Sequence, residues 1–294
     1  MASSKSFSLE DQVRLMIWAV PRSLSTALAK CLSGVDNSKV FFEVYVHAYT
    51  TDPQLIDPKF DDTEIGQTIA AAKERVSEFV RETSHLLVKE QLEGTFDGKR
   101  FIFCKDMAYG VKNRLEFLPK GYRHLFLIRH PLKVFPSWKK SFSGFAPNLS
   151  PNELFLENLP VNLFPTGYGY KESAELADYV KEKLHQEPII IDADDLLRDP
   201  KGILSAVFKE IGLPFDEKIL HWEAGDAVTQ QWTMPREFLE GNQFGGYYKD
   251  ALDSSCFLKP KPLPDRSSIS PDLLRLIDAS MPYYERLYKE RLSA

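Results

Sequence analysis

A chain of 294 residues with 43% hydrophobic content is long enough to bury a sizeable core, and one large α/β domain over 1–294 accounts for it. Its 37 Lys and Arg against 42 Asp and Glu give a formal charge of -5 with no basic run, which argues against a nucleic-acid or anionic-membrane surface and requires any ligand charge to be met locally. Cys31, Cys104 and Cys256 are widely separated with no C-x-x-C pair, against both a disulfide framework and a thiolate metal site.

The N-terminal Met-Ala-Ser-Ser-Lys-Ser-Phe lacks the apolar core of a signal peptide, and no apolar stretch approaches the roughly 18 residues of a membrane span. A cytoplasmic protein is expected. Residues 13–20 then read as a buried strand that breaks at Pro21 and re-forms as a helix around Ser25 and Thr26. The first N–H groups of a helix have no intrahelical partner and the dipole adds positive charge there, so an anion is the natural ligand of such a turn. Arg22, Ser23, Ser25 and Thr26 add one cation and three hydroxyls. An ATP or GTP P-loop needs G-x-x-x-x-G-K-[ST], and this loop has neither the glycines nor the lysine. The competing reading is a plain Ser/Thr-capped helix after a core strand.

Further short apolar runs at 39–44, 100–104, 124–128 and 188–191 alternate with helical patterns. Apolar residues at successive positions mark strands buried on both faces, and the alternation implies a doubly wound, mainly parallel five-stranded α/β sheet. In such sheets ligands bind beyond the carboxyl ends of the strands, so residues 21–26, 43–47, 105–107 and 129–131 are expected to face one crevice. Apolar residues at three- and four-residue steps from Ile65 to Leu87 predict one long amphipathic helix as an insert over about 61–94. Later helices are expected at 132–142, 171–186, 200–211, 217–223 and 271–291. Two Pro- and Gly-rich stretches, about 144–170 and 229–266, read as lid-like loops.

After the fourth apolar run, Arg129 is followed by a proline-started helix bearing Ser137. A second site of cation plus hydroxyl beside the first suits a ligand with two separate phosphate groups.

Here the chain resembles the sulfotransferases that use 3'-phosphoadenosine 5'-phosphosulfate (PAPS). Pro21-Arg22-Ser23-Leu24-Ser25-Thr26 is similar to that family's P-[KR]-[ST]-G-[TS]-[TS] loop, and Arg129-His130-Pro131 with Ser137 to its R-x-P-x-x-x-x-x-S segment. Asp194-Asp195-Leu196-Leu197-Arg198-Asp199-Pro200 and the segment from Phe208 to Pro214 resemble two further landmarks, so the motifs span most of the chain in the family's order. The resemblance implies a P-loop-like sulfotransferase architecture. It implies PAPS as co-substrate and a small-molecule acceptor sulfated on a hydroxyl, or on an amine as second choice. It also implies a 5'-phosphosulfate held by Arg22 and residues 23–26 and a 3'-phosphate held by Arg129 and Ser137. Sulfuryl transfer rests on positioning and on stabilising charge on the departing phosphate, as in phosphoryl transfer, so Arg22 and Lys105 are expected there and no metal is required.

The base is less direct. Where the family's cytosolic branch has K-T-H, this chain has Lys105-Asp106-Met107, so Glu43 ranks first as base, His47 second and Asp106 third. The family's R-K-G loop is replaced by a stretch retaining Gly241, Gly245, Gly246 and Lys249, which implies a rearranged 3'-phosphate clamp drawing on Gly241 and on Arg236 or Lys249. His85, His124, His185 and His221 have no motif context and take no role. The dimer segment of the cytosolic branch has no match, which sets no oligomeric state. Two rival functions are a nucleotide-dependent kinase or hydrolase with a degenerate P-loop, and a non-catalytic nucleotide-binding protein of the same fold.

Overall fold

Alternate residues of β1 (Val13–Ala19) are buried in opposite directions: Met16 and Trp18 join one apolar cluster, Leu15, Ile17 and Ala19 the other. A strand with two apolar faces is stable only inside a covered sheet. In the computed structural model, which describes residues 12–76, 83–150 and 152–293, β1 is the central strand of five. Its companions are β2 (Ser38–Phe42), β3 (Phe101–Asp106), β4 (Arg123–Ile128) and β5 (Ile189–Asp192), in the order β2-β3-β1-β4-β5 with every pair parallel. All five strands lie within a residue or two of the apolar runs that predict them.

On the Leu15 side pack α1 (Ser25–Ser33) and α8 (Pro200–Ile211); on the Trp18 side pack α5 (Pro131–Ser143), α6 (Tyr170–Glu182) and α11 (Pro271–Lys289), numbered in chain order. Pro131 opens α5 and Pro200 opens α8, positions where a missing N–H costs nothing. Between β2 and β3 come α2 (Val44–Thr50), α3 (Glu64–Glu74) and α4 (His85–Glu93); α7 (Ala193–Arg198) follows β5. Cys31 and Cys104 are buried and all three cysteines are free.

Three expectations change. The single long helix over 61–94 is instead α3 and α4 among the described residues: α3 ends at Glu74, and Ser84 opens α4 by accepting from the N–H of Leu87. A cap side chain outcompetes a continuous pattern there; Phe79 and Val80 lie outside the described residues, as does the N-terminal stretch before residue 12. The region 229–266 is not all loop, because it contains α9 (Arg236–Gly245) and α10 (Lys249–Leu252). The expected helix at 217–223 is a single 3-10 turn, Glu217–Leu220. Among the described residues no helix is long and apolar enough to cross a membrane.

Candidate active site

Beyond β1 the backbone enters left-handed conformation twice, at Arg22 (φ 62°) and at Leu24 (φ 70°). Leu24 occupies the position at which the resembled loop has glycine, and each such residue costs on the order of 1–3 kcal/mol unless its surroundings enforce it. Alternating handedness turns consecutive N–H groups to one side as an anion nest. Among the described residues no backbone oxygen accepts from the N–H groups of residues 23–26.

The end of β4 braces this loop. Arg129 Nη1 donates to the carbonyl of Arg22 at 3.0 Å, and the Tyr170 hydroxyl donates to the carbonyl of Arg129 at 2.6 Å. Arg22 Nε donates in turn to Ser137 Oγ at 3.0 Å, and its Nη1 to the carbonyl of Tyr247. Burial lowers the pKa of both guanidinium groups, opposed by Asp250 at Arg22 and by Asp194 at Arg129. Asp194 is shared with Lys133, and Arg129 Nε lies 3.8 Å from its Oδ1 with no hydrogen bond made. Two half-buried guanidinium groups lie side by side here, and Arg129 Nε has no hydrogen-bond partner among the described residues, an arrangement that favours a bound anion.

At the ends of β2 and β3, Glu43 (φ 56°) begins α2 and its N–H continues the ladder to the carbonyl of Lys105 at 2.7 Å. Its Oε1 takes the Lys105 ammonium and its Oε2 the Tyr248 hydroxyl. Lys105 is 1% exposed and lies 4.7 Å above the ring centre of Phe42. Burial, then the Glu43 charge, push the Tyr248 phenol well above its ordinary value, so it stays a donor.

Asp106, the third candidate base, is occupied otherwise. It accepts from the N–H groups of Tyr45 at 2.6 Å, Val46 at 3.0 Å and Met107 at 3.0 Å, anchoring the start of α2 to β3. Burial pushes its pKa up to about 7 against those bonds. His47 pairs through Nε2 with Glu237 Oε1 of α9. Burial would raise the Glu237 pKa, but the hydrogen bond and charge of His47 outweigh it and hold that carboxyl below its ordinary value.

A cavity of about 620 Å³ opens over these strand ends. Arg22, Leu24, Ser25, Thr26, Glu43, Lys105, Arg129, Ser137 and Gly241 all line it. Ser23, His47 and Lys249 do not: Ser23 is fully buried beneath the loop, His47 lies behind Glu237, and Lys249 is on the exposed side of α10, paired with Asp253 at 2.5 Å. Arg236 is likewise off the cavity, reaching the carbonyl of Thr229 at 3.4 Å. Lys249 and Arg236 are therefore not brought beside Arg129, because the helices α9 and α10 turn both side chains away from it. The cavity instead gains Tyr247, Tyr248, Asp250 and Glu237, which sequence reasoning passed over. Their signal was the Gly245-Gly246 pair: Gly246 (φ 58°) closes α9 in the left-handed conformation glycine favours and sends both tyrosines back over the strand ends. Among the described residues no cluster of three or more His, Cys, Asp or Glu could hold a metal ion.

The site thus joins an all-parallel α/β sheet to a loop with two left-handed residues after its first strand and a second arginine after its fourth. Residues 173–291 match the family model described as "Sulfotransferase domain". The matched segment contains the Asp194–Pro200 and Phe208–Pro214 landmarks but neither anion motif. The chain is 25% identical over 282 residues to branched-chain-amino-acid aminotransferase-like protein 1 of Arabidopsis thaliana, covering 92% of this chain and 40% of that protein. It is 28% identical over 214 residues to the Arabidopsis thaliana protein 2 of that name, covering 71% of this chain and 31% of that protein. The chain thus spans well under half the length of these relatives. A solved sulfotransferase from Alicyclobacillus acidocaldarius superposes with a TM-score of 0.49 at 13% identity, over 95% of this chain and 96% of that one.

Proposed function

We propose that the protein transfers a sulfuryl group from PAPS to a hydroxyl of a small-molecule acceptor. The observation that carries this reading is the convergence of Arg22 and Arg129 on one cavity, joined through Ser137 Oγ and through the Arg22 carbonyl. The N–H groups of residues 23–26, which have no backbone acceptor among the described residues, and the burial of both guanidinium groups favour a ligand that brings negative charge to two places. A 3',5'-bisphosphorylated nucleoside does so.

PAPS supplies an activated sulfuryl group on a phosphate leaving group. Arg22, Ser25, Thr26 and the loop N–H groups bind the 5' end and stabilise the charge left on the phosphate; Arg129 and Ser137 bind the 3'-phosphate. Glu43 takes the proton of the acceptor hydroxyl. Both of its oxygens already accept one bond each, but a carboxylate has about four acceptor sites, so Lys105 and Tyr248 orient the base without saturating it. Lys105, held between Glu43 and the Phe42 ring, also offsets charge on the departing phosphate side of the crevice. His47 acts through Glu237, pinning α9 over α2.

The test is transfer of labelled sulfate from PAPS to a panel of phenols and alcohols by the wild-type protein and Glu43→Gln. Transfer by wild type, with turnover lost and binding of 3'-phosphoadenosine 5'-phosphate (PAP) kept in Glu43→Gln, supports the reading. Stronger thermal stabilisation by ATP with Mg2+ than by PAP points to a kinase or hydrolase. PAP binding with no transfer to any acceptor points to a non-catalytic nucleotide-binding protein.

A further inference from the structure

Helix α2 ties down the cavity's cover at two positions one turn apart. His47 Nε2 pairs with Glu237 Oε1 of α9, and the carbonyl of Thr50 accepts from Asn162 Nδ2 at 3.0 Å. Among the described residues each leaves one acceptor atom without a hydrogen-bond partner, Glu237 Oε2 and Asn162 Oδ1, and both atoms are buried. The amide of Asn162 cannot flip to satisfy Oδ1 without losing the Thr50 bond, since a carbonyl accepts only from the NH2 end. Glu237 and Asn162 are 9% and 8% exposed, and both line the cavity. Their neighbours on that wall are mostly apolar, among them Val46, Leu163 and Phe238, with Thr50 and the Lys73 ammonium also on the cavity. An unpaired buried acceptor costs about 1–3 kcal/mol, so two of them in one mostly apolar wall call for a ligand that donates.

We propose that the acceptor carries, besides the hydroxyl that is sulfated, at least one further O–H or N–H donor on an apolar body, and that Glu237 Oε2 and Asn162 Oδ1 receive it. The inference rests on the sulfotransferase reading for what the cavity does, and adds which acceptors it selects. Glu237 and Asn162 are specificity residues. They touch the body of the acceptor and leave the proton of the reacting hydroxyl to Glu43.

Naphthol, dihydroxynaphthalene and aminonaphthol form a matched series with one reacting hydroxyl and none or one extra donor. Their affinities are measured by calorimetry on the full chain, with and without saturating PAP, for wild type, Asn162→Leu and Glu237→Gln, each checked for folding by thermal unfolding. A charge-assisted hydrogen bond predicts about tenfold tighter binding of a donor-bearing compound by wild type. Asn162→Leu and Glu237→Gln each shrink that preference. Equal wild-type affinities across the series within twofold, or a preference that survives both variants, overturns the proposal. Sulfate transfer without donor preference defeats this inference alone; donor preference without sulfate transfer or PAP binding defeats the sulfotransferase reading alone.

Discussion

Arg129 Nη1 donates to the backbone carbonyl of Arg22 at 3.0 Å, across 107 positions of sequence. The arginine of the second anion motif therefore holds the strained backbone of the first, and the two motifs form one mechanical unit.

Arg129→Ala removes that brace as well as a cation. Amide hydrogen exchange in the peptide covering residues 20–28 should accelerate by about tenfold or more, the equivalent of one lost hydrogen bond to a charged group. Unchanged exchange there would mean that the loop holds its left-handed residues without help from β4.

Glu43 and Lys105 form a buried ion pair at the ends of adjacent strands. Removing one partner strands the other charge, so Glu43→Gln and Lys105→Met should each cost about 3–5 kcal/mol in urea denaturation, while the double variant recovers much of the stability and none of the turnover. Single variants costing under about 1 kcal/mol would contradict the pairing.

His124 accepts the indole N–H of Trp18 on Nδ1 at 2.9 Å, and burial, then Arg123, lower its pKa to about 4. Between its ordinary value and about 4 the unfolded chain binds a proton that the folded chain does not. The stability His124 contributes is thus complete above the ordinary histidine value and is lost as pH falls toward 4. Asp106, pushed up to about 7, acts oppositely: its contribution is lost as pH rises toward 7. His124→Gln keeps an acceptor for Trp18 but cannot titrate, so the stability gap between wild type and this variant should narrow or reverse between pH 7.5 and pH 5 on the order expected for one proton. A gap independent of pH would contradict a neutral His124.

Gly144 ends α5 where α9 closes down on it. A Cβ there would stand 2.1 Å from the carbonyl oxygen of Phe244, a backbone contact that cannot swing aside. Gly144→Ala should cost about 1–3 kcal/mol and raise KM for the acceptor, because α9 carries Glu237 and Gly241 on the cavity wall. Unaltered thermal unfolding would mean that α9 is free to shift.

The strands were legible because burial on both faces imprints continuous apolar runs, and the two arginine motifs because each follows such a run directly. What sequence did not disclose are long-range pairings. Nothing local links Tyr248 to Glu43, 205 positions away, or His47 to Glu237. The break between α3 and α4 was hidden because Ser84 interrupts an apolar periodicity that otherwise continues. Lys249 looked like a phosphate ligand by its place after the glycines, yet α10 carries it into solvent beside Asp253. Of the base candidates, geometry separates what spacing could not: Asp106 is committed to the start of α2, His47 to Glu237, and only Glu43 reaches the cavity.

The central claim is that Arg22 and Arg129 form one clamp for a nucleotide phosphorylated at both ends. Titration calorimetry of PAP and of adenosine 5'-phosphate against wild type and Arg129→Ala tests it most directly. Wild type should bind PAP at least about tenfold more tightly than the monophosphate, and Arg129→Ala should erase the difference. Equal affinity of wild type for the two nucleotides, or a PAP affinity unmoved by Arg129→Ala, would contradict it.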